Sequence, residues 1–210
     1  MAGVVNRRSI MTLYAEASDP IGHSVRIVLA EKDIDAEVIF VTHESKPEEL
    51  NDLNPYRGLL TLIDRDLVIY EPAIMMEYLD ERYPHPPLMP VDPVSRANIR
   101  QIRYRVTRDL YGLIEKLHSE NVEVRDAACR ELRDDLLAIT PIFSRHQYLL
   151  SDEYSLADCC LVPLLWRLNR YGVKLASQAK PLLKYAENLF NREAFKVSLS
   201  PAERDMHRLT

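Results

Sequence analysis

The three cysteines and six histidines of this 210-residue sequence are the side chains best suited to bind a metal ion or to act as nucleophiles. The cysteines are Cys129, Cys159 and Cys160, and none forms a C-x-x-C pair. The histidines are scattered without the spacing of metal ligands. We therefore expect no metal and no cofactor. We expect the cysteines to be small, buried, apolar residues. Their low and odd number is typical of a protein in a reducing cytoplasm.

One histidine, His85, lies in a stretch that is rich in proline. Residues 83–93 contain five of the 13 prolines. Proline lacks an amide hydrogen and clashes with the preceding turn, so neither a helix nor an inner strand can run through this stretch. The flanking prolines fix the imidazole at low entropic cost, which favours a recognition surface over a linker histidine without a role. The predicted partner-binding residues are Pro84, His85, Pro86, Pro87 and Leu88.

Short strand-like and helix-like segments alternate before this stretch. Strands are predicted at residues 9–14, 36–41, 61–64 and 66–70. Helices are predicted after Asp19-Pro20, at residues 47–53 and from Pro72, because proline suits the first helical position. The order β-α-β-α-β-β-α requires one parallel strand pair and one antiparallel hairpin. This small α/β layer resembles thioredoxin.

Longer amphipathic helices follow the proline-rich stretch. Apolar residues recur at helical spacing over residues 99–117 and 124–143. Ser155 and Asp158 form a capping box before an apolar helix at residues 159–168, which we expect to be buried. Further helices are predicted at residues 181–190 and 201–208. A second face of the first long helix carries arginines that either meet solvent or contact the acidic domain of another subunit: Arg96, Arg100 and Arg103.

The net charge of −5 is divided unequally along the chain. Residues 1–83 contain 8 Lys and Arg against 16 Asp and Glu, and residues 84–210 contain 19 against 16. An acidic first half does not suit direct binding of nucleic acid, but it is compatible with a basic protein partner. No run of residues approaches the ~18 apolar positions that a membrane-spanning helix needs.

These features together resemble the cytosolic glutathione transferase fold over the whole chain. The resemblance implies a thioredoxin-like domain at residues 1–84, a proline-rich linker at 85–93 and an all-helical domain at 94–210. Three strings further resemble the bacterial stringent starvation protein A family. They are Val25-Arg26-Ile27-Val28-Leu29-Ala30-Glu31-Lys32, residues 76–90 and Pro163-Leu164-Leu165-Trp166-Arg167-Leu168.

This family resemblance implies a function in transcription under starvation or acid stress. It implies a cytoplasmic homodimer that associates with RNA polymerase and its sigma factor, and that has no transferase activity. The Pro84-His85-Pro86 surface corresponds to the one that the family presents to polymerase.

An enzyme of this fold needs a Ser, Tyr or Cys before the first helix, to stabilise the thiolate of glutathione. Here that place holds Asp19-Pro20, and an aspartate repels a thiolate. Tyr14 and Ser18 are near enough in sequence to replace the missing group. A glutathione-dependent transferase or peroxidase that uses Tyr14 or Ser18 is therefore the alternative function. A third possibility is a regulator that pairs with a related chain and binds a small anion between subunits.

Two other ligand-binding features of the fold are altered in this sequence. Leu59-Leu60 replaces the usual Val-Pro with its cis-proline, so that the Leu59–Leu60 bond is either trans in a rebuilt loop or cis under strain. Glu71-Pro72 replaces a Glu-Ser pair, and proline removes both the hydroxyl and the amide hydrogen that would hold the glutamyl carboxylate. We predict no useful glutathione binding by a vestigial cleft at Tyr14, Leu59, Leu60, Glu71 and Pro72.

Overall fold

The computed structural model describes residues 10–208, with side chains for residues 10–206. Its sheet has the strand order β2-β1-β3-β4. Strand β1 pairs parallel to β2 and antiparallel to β3, and β3 continues antiparallel into β4. The bounds are Met11–Ala15, Ala36–Phe40, Thr61–Asp64 and Leu67–Ile69 for β1 to β4. The predicted mixed sheet is confirmed, although Ser9 of the first predicted strand lies outside the described residues.

Three helices cover this sheet: α1 at Pro20–Glu31, α2 at Glu49–Leu53 and α3 at Pro72–Arg82. The start of α1 is set locally, because the Asp19 carboxylate accepts hydrogen bonds from the amides of Ile21 (3.1 Å) and Gly22 (2.7 Å). Glu71 caps α3 more weakly, through the amide of Ala73 at 3.4 Å. Both helices carry proline at their first position, as predicted.

Helices joined by turns and loops make up the rest of the described chain. Helix α4 spans Pro93–Arg105, α5 Ile114–Leu117, α6 Val122–Ile139, α7 Leu156–Trp166, α8 Lys180–Phe190, α9 Glu193–Ser198 and α10 Pro201–Arg208. The single helix predicted over residues 99–117 is wrong. A π-helical turn at Val106–Leu110 and a 3₁₀ turn at Tyr111–Leu113 separate α4 from α5. Gly112 lies in that 3₁₀ turn, where glycine weakens helix propagation.

Helix α6 also ends earlier than predicted. It stops at Ile139, and a 3₁₀ turn at Thr140–Ser144 takes the chain onward. Pro141 explains the change, because it lacks the amide hydrogen that a continuing α-helix would use. No helix within residues 10–208 is long and apolar enough to cross a membrane.

Helix α7 is the buried centre of the helical part, as predicted. Every residue from Leu156 to Leu165 is buried. The capping box is present, because Ser155 caps the helix and the Asp158 carboxylate accepts from the Ser155 amide at 2.9 Å. Helix α1 packs on α7, so the apolar core continues from the α/β layer into the helical part. The domain boundaries at residues 84 and 93 remain predictions.

Candidate functional site

The linker between α3 and α4 presents the predicted docking surface. Pro84, His85, Pro86 and Pro87 are all exposed, and the His85–Pro86 bond is cis. Four consecutive exposed residues, three of them prolines, form a surface of restricted backbone freedom. We call these four residues the docking loop. Such a surface can contact a partner with little loss of conformational entropy.

Leu88 does not belong to this surface, and its assignment to the partner-binding residues is wrong. Its side chain is only 3% exposed and lies in the main apolar core. Its backbone is also used inside the protein, because its amide donates to Asp80 at 2.8 Å and its carbonyl accepts from the amide of Leu156 at 2.9 Å. Leu88 therefore anchors one end of the docking loop instead of contacting a partner.

The predicted ligand cleft is altered first at the N-terminus of α1. Free amides at a helix N-terminus attract anions, and a thiolate would bind there. Here the Asp19 carboxylate already accepts from two of those amides. Burial raises the pKa of Asp19, although the Gly22 and Ile21 amides act in the opposite direction. A carboxyl group thus occupies the place that a thiolate would need.

In the Leu59–Leu60 loop, both leucine side chains pack against other parts of the protein. Within residues 10–208 the cis bond is the one at His85–Pro86, so Leu59–Leu60 is trans, which resolves the two conformations that the sequence left open. Leu59 is 8% exposed and packs in a small separate core. Leu60 extends toward the start of α1, where its Cδ1 lies 3.6 Å from the position that a Cβ atom on Gly22 would occupy.

Tyr14 cannot serve as a replacement catalytic group, which corrects the prediction. It is 6% exposed and lies in the same small core as Leu59, together with Val41 and Leu50. The reason is that β1 is a central strand buried on both faces, so no residue of it faces a cleft. Ser18 is different, because it is only partly buried and lines a cavity of about 270 Å³.

That cavity contains polar groups from both parts of the chain. The described residues around it include Ser18, Asp19, His118, Arg167 and Arg170, but none of the five predicted cleft residues. Glu71 is exposed and Pro72 half-buried, and Glu71 lines a different surface depression beside β4 and α3. Neither of these two cavities is lined by all five predicted cleft residues.

The cysteines have the buried character that their sequence positions indicate. Burial raises the pKa of the Cys159 and Cys160 thiols, which makes thiolate formation at neutral pH unfavourable. Cys129 is half-buried, and its Sγ lies 3.1 Å from the carbonyl oxygen of Tyr171. Within the described residues no group of three or more His, Cys, Asp or Glu side chains is arranged to hold a metal.

Sequence reasoning missed two buried ionic clusters. In the first, Lys32 pairs with Asp80 beneath the docking loop. In the second, Glu203 pairs with Arg26 and Arg167, with all three side chains no more than 4% exposed. The sequence contained one indication that Lys32 is buried, because Lys32 falls on the apolar face of α1 at helical spacing from Val28 and Leu29.

Known protein families and individual relatives are similar to this chain over most of its length. The N-terminal domain family of glutathione S-transferase matches residues 9–81, and the C-terminal domain family matches residues 91–193. A protein of Histophilus somni described as "Stringent starvation protein A homolog" is 44% identical over 200 residues, covering 95% of this chain and 94% of its own. The maleylacetoacetate isomerase of Pseudomonas aeruginosa is 30% identical over 180 residues, covering 79% and 84%.

Solved structures show the same fold. The glutathione S-transferase from Xylella fastidiosa aligns with a TM-score of 0.83 over 92% of this chain and 98% of its own, at 21% sequence identity. At that identity the likeness concerns the fold alone.

Proposed function

This chain belongs to the stringent starvation protein A family, within the glutathione S-transferase fold, and on that premise we propose that it regulates transcription by associating with RNA polymerase holoenzyme and its sigma factor. In this proposal the protein is a cytoplasmic homodimer that acts in the starvation response and has no catalytic activity. The docking loop, Pro84 to Pro87, is the contact surface.

The observation that carries this proposal is the exposure of the docking loop in a chain whose α1 N-terminus is already capped by its own Asp19 carboxylate. Four consecutive residues of the loop are exposed. By contrast, a carboxylate caps the N-terminus of α1, and Leu59 and Tyr14 are buried in a core. Binding of a protein partner at the loop fits this arrangement better than binding of a tripeptide in the cleft.

Charge supports a basic region on the partner. The first 83 residues carry twice as many acidic as basic side chains. Acidic residues in and before α2, among them Glu48, Glu49 and Asp52, are exposed to solvent. An acidic surface accelerates encounter with a basic partner, and screening by salt weakens this effect.

Direct capture of polymerase tests this function. The purified protein is immobilised and exposed to RNA polymerase core enzyme, with and without its sigma factor. We expect retention of the holoenzyme, stronger than retention of the core enzyme and weaker at high salt. Equal failure to retain both forms at low salt would contradict the proposal.

A glutathione-dependent enzyme is the second candidate, and two observations favour it. The isomerase relative is 30% identical, and Ser18 lines a cavity of about 270 Å³ together with Arg170 and His118. Tyr14 is no longer an option because it is buried.

Isothermal titration with reduced glutathione separates the two candidates. Loss of the two charge-assisted hydrogen bonds at Glu71-Pro72 costs roughly 3–6 kcal/mol, at ~1.5–3 kcal/mol each. That corresponds to about two to four decades in affinity, so we expect no measurable heat. Micromolar binding, abolished by Ser18→Ala, would favour the enzyme instead.

A further inference from the structure

Backbone carbonyl groups in and next to the docking loop accept hydrogen bonds from one buried ammonium group. Lys32, the residue that follows α1, has a fully buried side chain. Its Nζ donates to the Asp80 carboxylate at 2.5 Å, to the carbonyl of Tyr83 at 2.8 Å and to the carbonyl of Pro86. An ammonium group has three hydrogens, so these three acceptors satisfy it completely.

Asp80 holds the other end of the loop through the same oxygen. Its Oδ1 accepts from Lys32 and also from the amide of Leu88 at 2.8 Å. The ion pair thereby fixes backbone groups of Tyr83, Pro86 and Leu88. The side chains of Pro84, His85, Pro86 and Pro87 all remain exposed and free to contact a partner.

The Lys32–Asp80 pair restricts the path of the loop backbone in a way that proline alone cannot. Proline fixes φ but leaves ψ and the overall path of the loop to its surroundings. Taking two charges out of water is unfavourable, and apolar residues of similar volume often stabilise a protein as well as a buried ion pair does. The particular contribution of this pair is geometric, because its hydrogen bonds are directed at carbonyl groups on both sides of His85.

We propose that Lys32 and Asp80 are positioning residues for the docking loop, which hold its backbone in the shape that the polymerase recognises. This inference rests on the proposed function of the loop. Neither side chain is exposed enough to contact the partner itself. Their effect on binding therefore operates through the population of the binding-competent loop conformation.

Lys32→Met removes the ammonium group and keeps a long apolar side chain. If the competent conformation is then populated about one tenth of the time, affinity for the holoenzyme falls about tenfold. Amide hydrogen exchange in the peptide covering residues 83–92 is expected to accelerate. The matched control is Arg192→Met. It breaks the ion pair between Arg192 and Glu31 (2.7 Å), the residue that precedes Lys32, but it leaves the contacts of the linker unchanged. The control is expected to lose stability but to keep both polymerase affinity and linker exchange.

A second variant covers the possibility that Lys32→Met leaves Asp80 unpaired and unfolds the protein. Lys32→Met/Asp80→Met removes both buried charges, so that no unpaired charge remains in the core. The inference predicts a folded protein with fast linker exchange and about tenfold weaker binding. Wild-type affinity in either folded variant would overturn it.

The two proposals fail in different ways. If Pro84→Ala/His85→Ala/Pro86→Ala binds the holoenzyme like the wild type, the docking loop is not the contact surface and the proposed function fails. If that triple variant loses binding while both Lys32 variants bind normally, the proposed function stands and the positioning role is refuted.

Discussion

At the scale of the residue, the Asp19 carboxylate occupies the amides at the N-terminus of α1 that could otherwise bind an anion. The amides of Ile21 and Gly22 point toward the position where an anion binds at a helix N-terminus. The Asp19 carboxylate satisfies them internally, so that helix α1 is capped and the same amides are no longer available to a ligand.

Removal of this cap tests its structural role. Asp19→Ala leaves two amides without a side-chain acceptor, and we expect it to lower the free energy of unfolding by about 1 kcal/mol. Asp19→Ser is the matched control, because a serine hydroxyl caps a helix nearly as well. Urea denaturation followed by circular dichroism gives both values. An unchanged midpoint for Asp19→Ala would show that the carboxylate does not cap α1.

At the scale of the element, α3 and α4 are joined by ion pairs within one chain. The two roles predicted for the arginine face, solvent exposure or contact with another subunit, are both wrong for Arg103. Arg103 is buried and pairs with Glu77 at 2.7 Å, and Arg100 pairs with the same carboxylate at 2.7 Å. Arg96 lies 3.4 Å from Glu81 near the surface. Arg100 remains exposed to solvent, which was one of the two predicted roles. Helical periodicity showed that these arginines share a face, but not that carboxylates of α3 lie beside it.

This cluster makes interhelical stability depend on pH. Burial opposes ionisation of Glu77, but Arg100 and Arg103 outweigh it and hold its pKa below the ordinary value of 4.5. Between the lowered pKa and 4.5 the unfolded chain binds more protons than the folded chain, so stability falls as the pH falls. Glu77→Gln is therefore expected to destabilise the protein at pH 7.

The measurement is the difference in free energy of unfolding between wild type and Glu77→Gln from pH 7 to pH 3. We expect this difference to shrink as the pH falls below 4.5 and through the lowered pKa of Glu77, because the wild-type carboxylate then becomes neutral as well. A difference that stays constant over the whole range would exclude an ionic contribution from Glu77.

The features that could be predicted from the sequence are those decided by neighbouring residues. Asp19-Pro20 and the Ser155–Asp158 capping box mark helix starts because the cap and its amides are two or three positions apart. Tyr14 could not be placed, because alternation fails on a strand buried on both faces. Lys32 could not be assigned a role either, since its acceptors lie 48 to 54 positions further along the chain.

At the scale of the whole molecule, a buried ionic cluster fastens the last helix to both parts of the fold. Glu203 of α10 contacts Arg26 of α1 at 2.7 Å and Arg167, just after α7. Burial and the two arginines lower the pKa of the adjacent His23 well below its ordinary value, so that the imidazole is neutral at pH 7. The indole of Trp166 donates to the carbonyl of Glu203 at 3.1 Å.

Removal of the Glu203 carboxylate is expected to lower the stability of the protein strongly. Glu203→Ala leaves two arginines buried without their counter-ion, and removal of one partner of a buried ion pair costs about 3–5 kcal/mol. Glu193→Ala is the control, because Glu193 forms an ion pair with Lys196 at the exposed surface and should contribute little. Thermal and urea unfolding report both. Equal, small effects for the two variants would contradict a structural role for the cluster.

We propose that the exposed docking loop, and not the altered cleft, carries the function. The most direct test is the affinity of RNA polymerase holoenzyme for Pro84→Ala/His85→Ala/Pro86→Ala, with Pro55→Ala as a control at another exposed proline. We predict a loss of about thirtyfold or more for the triple variant, as for truncation at the centre of an interface, and no change for the control. Equal affinity for wild type and a correctly folded triple variant would contradict the account.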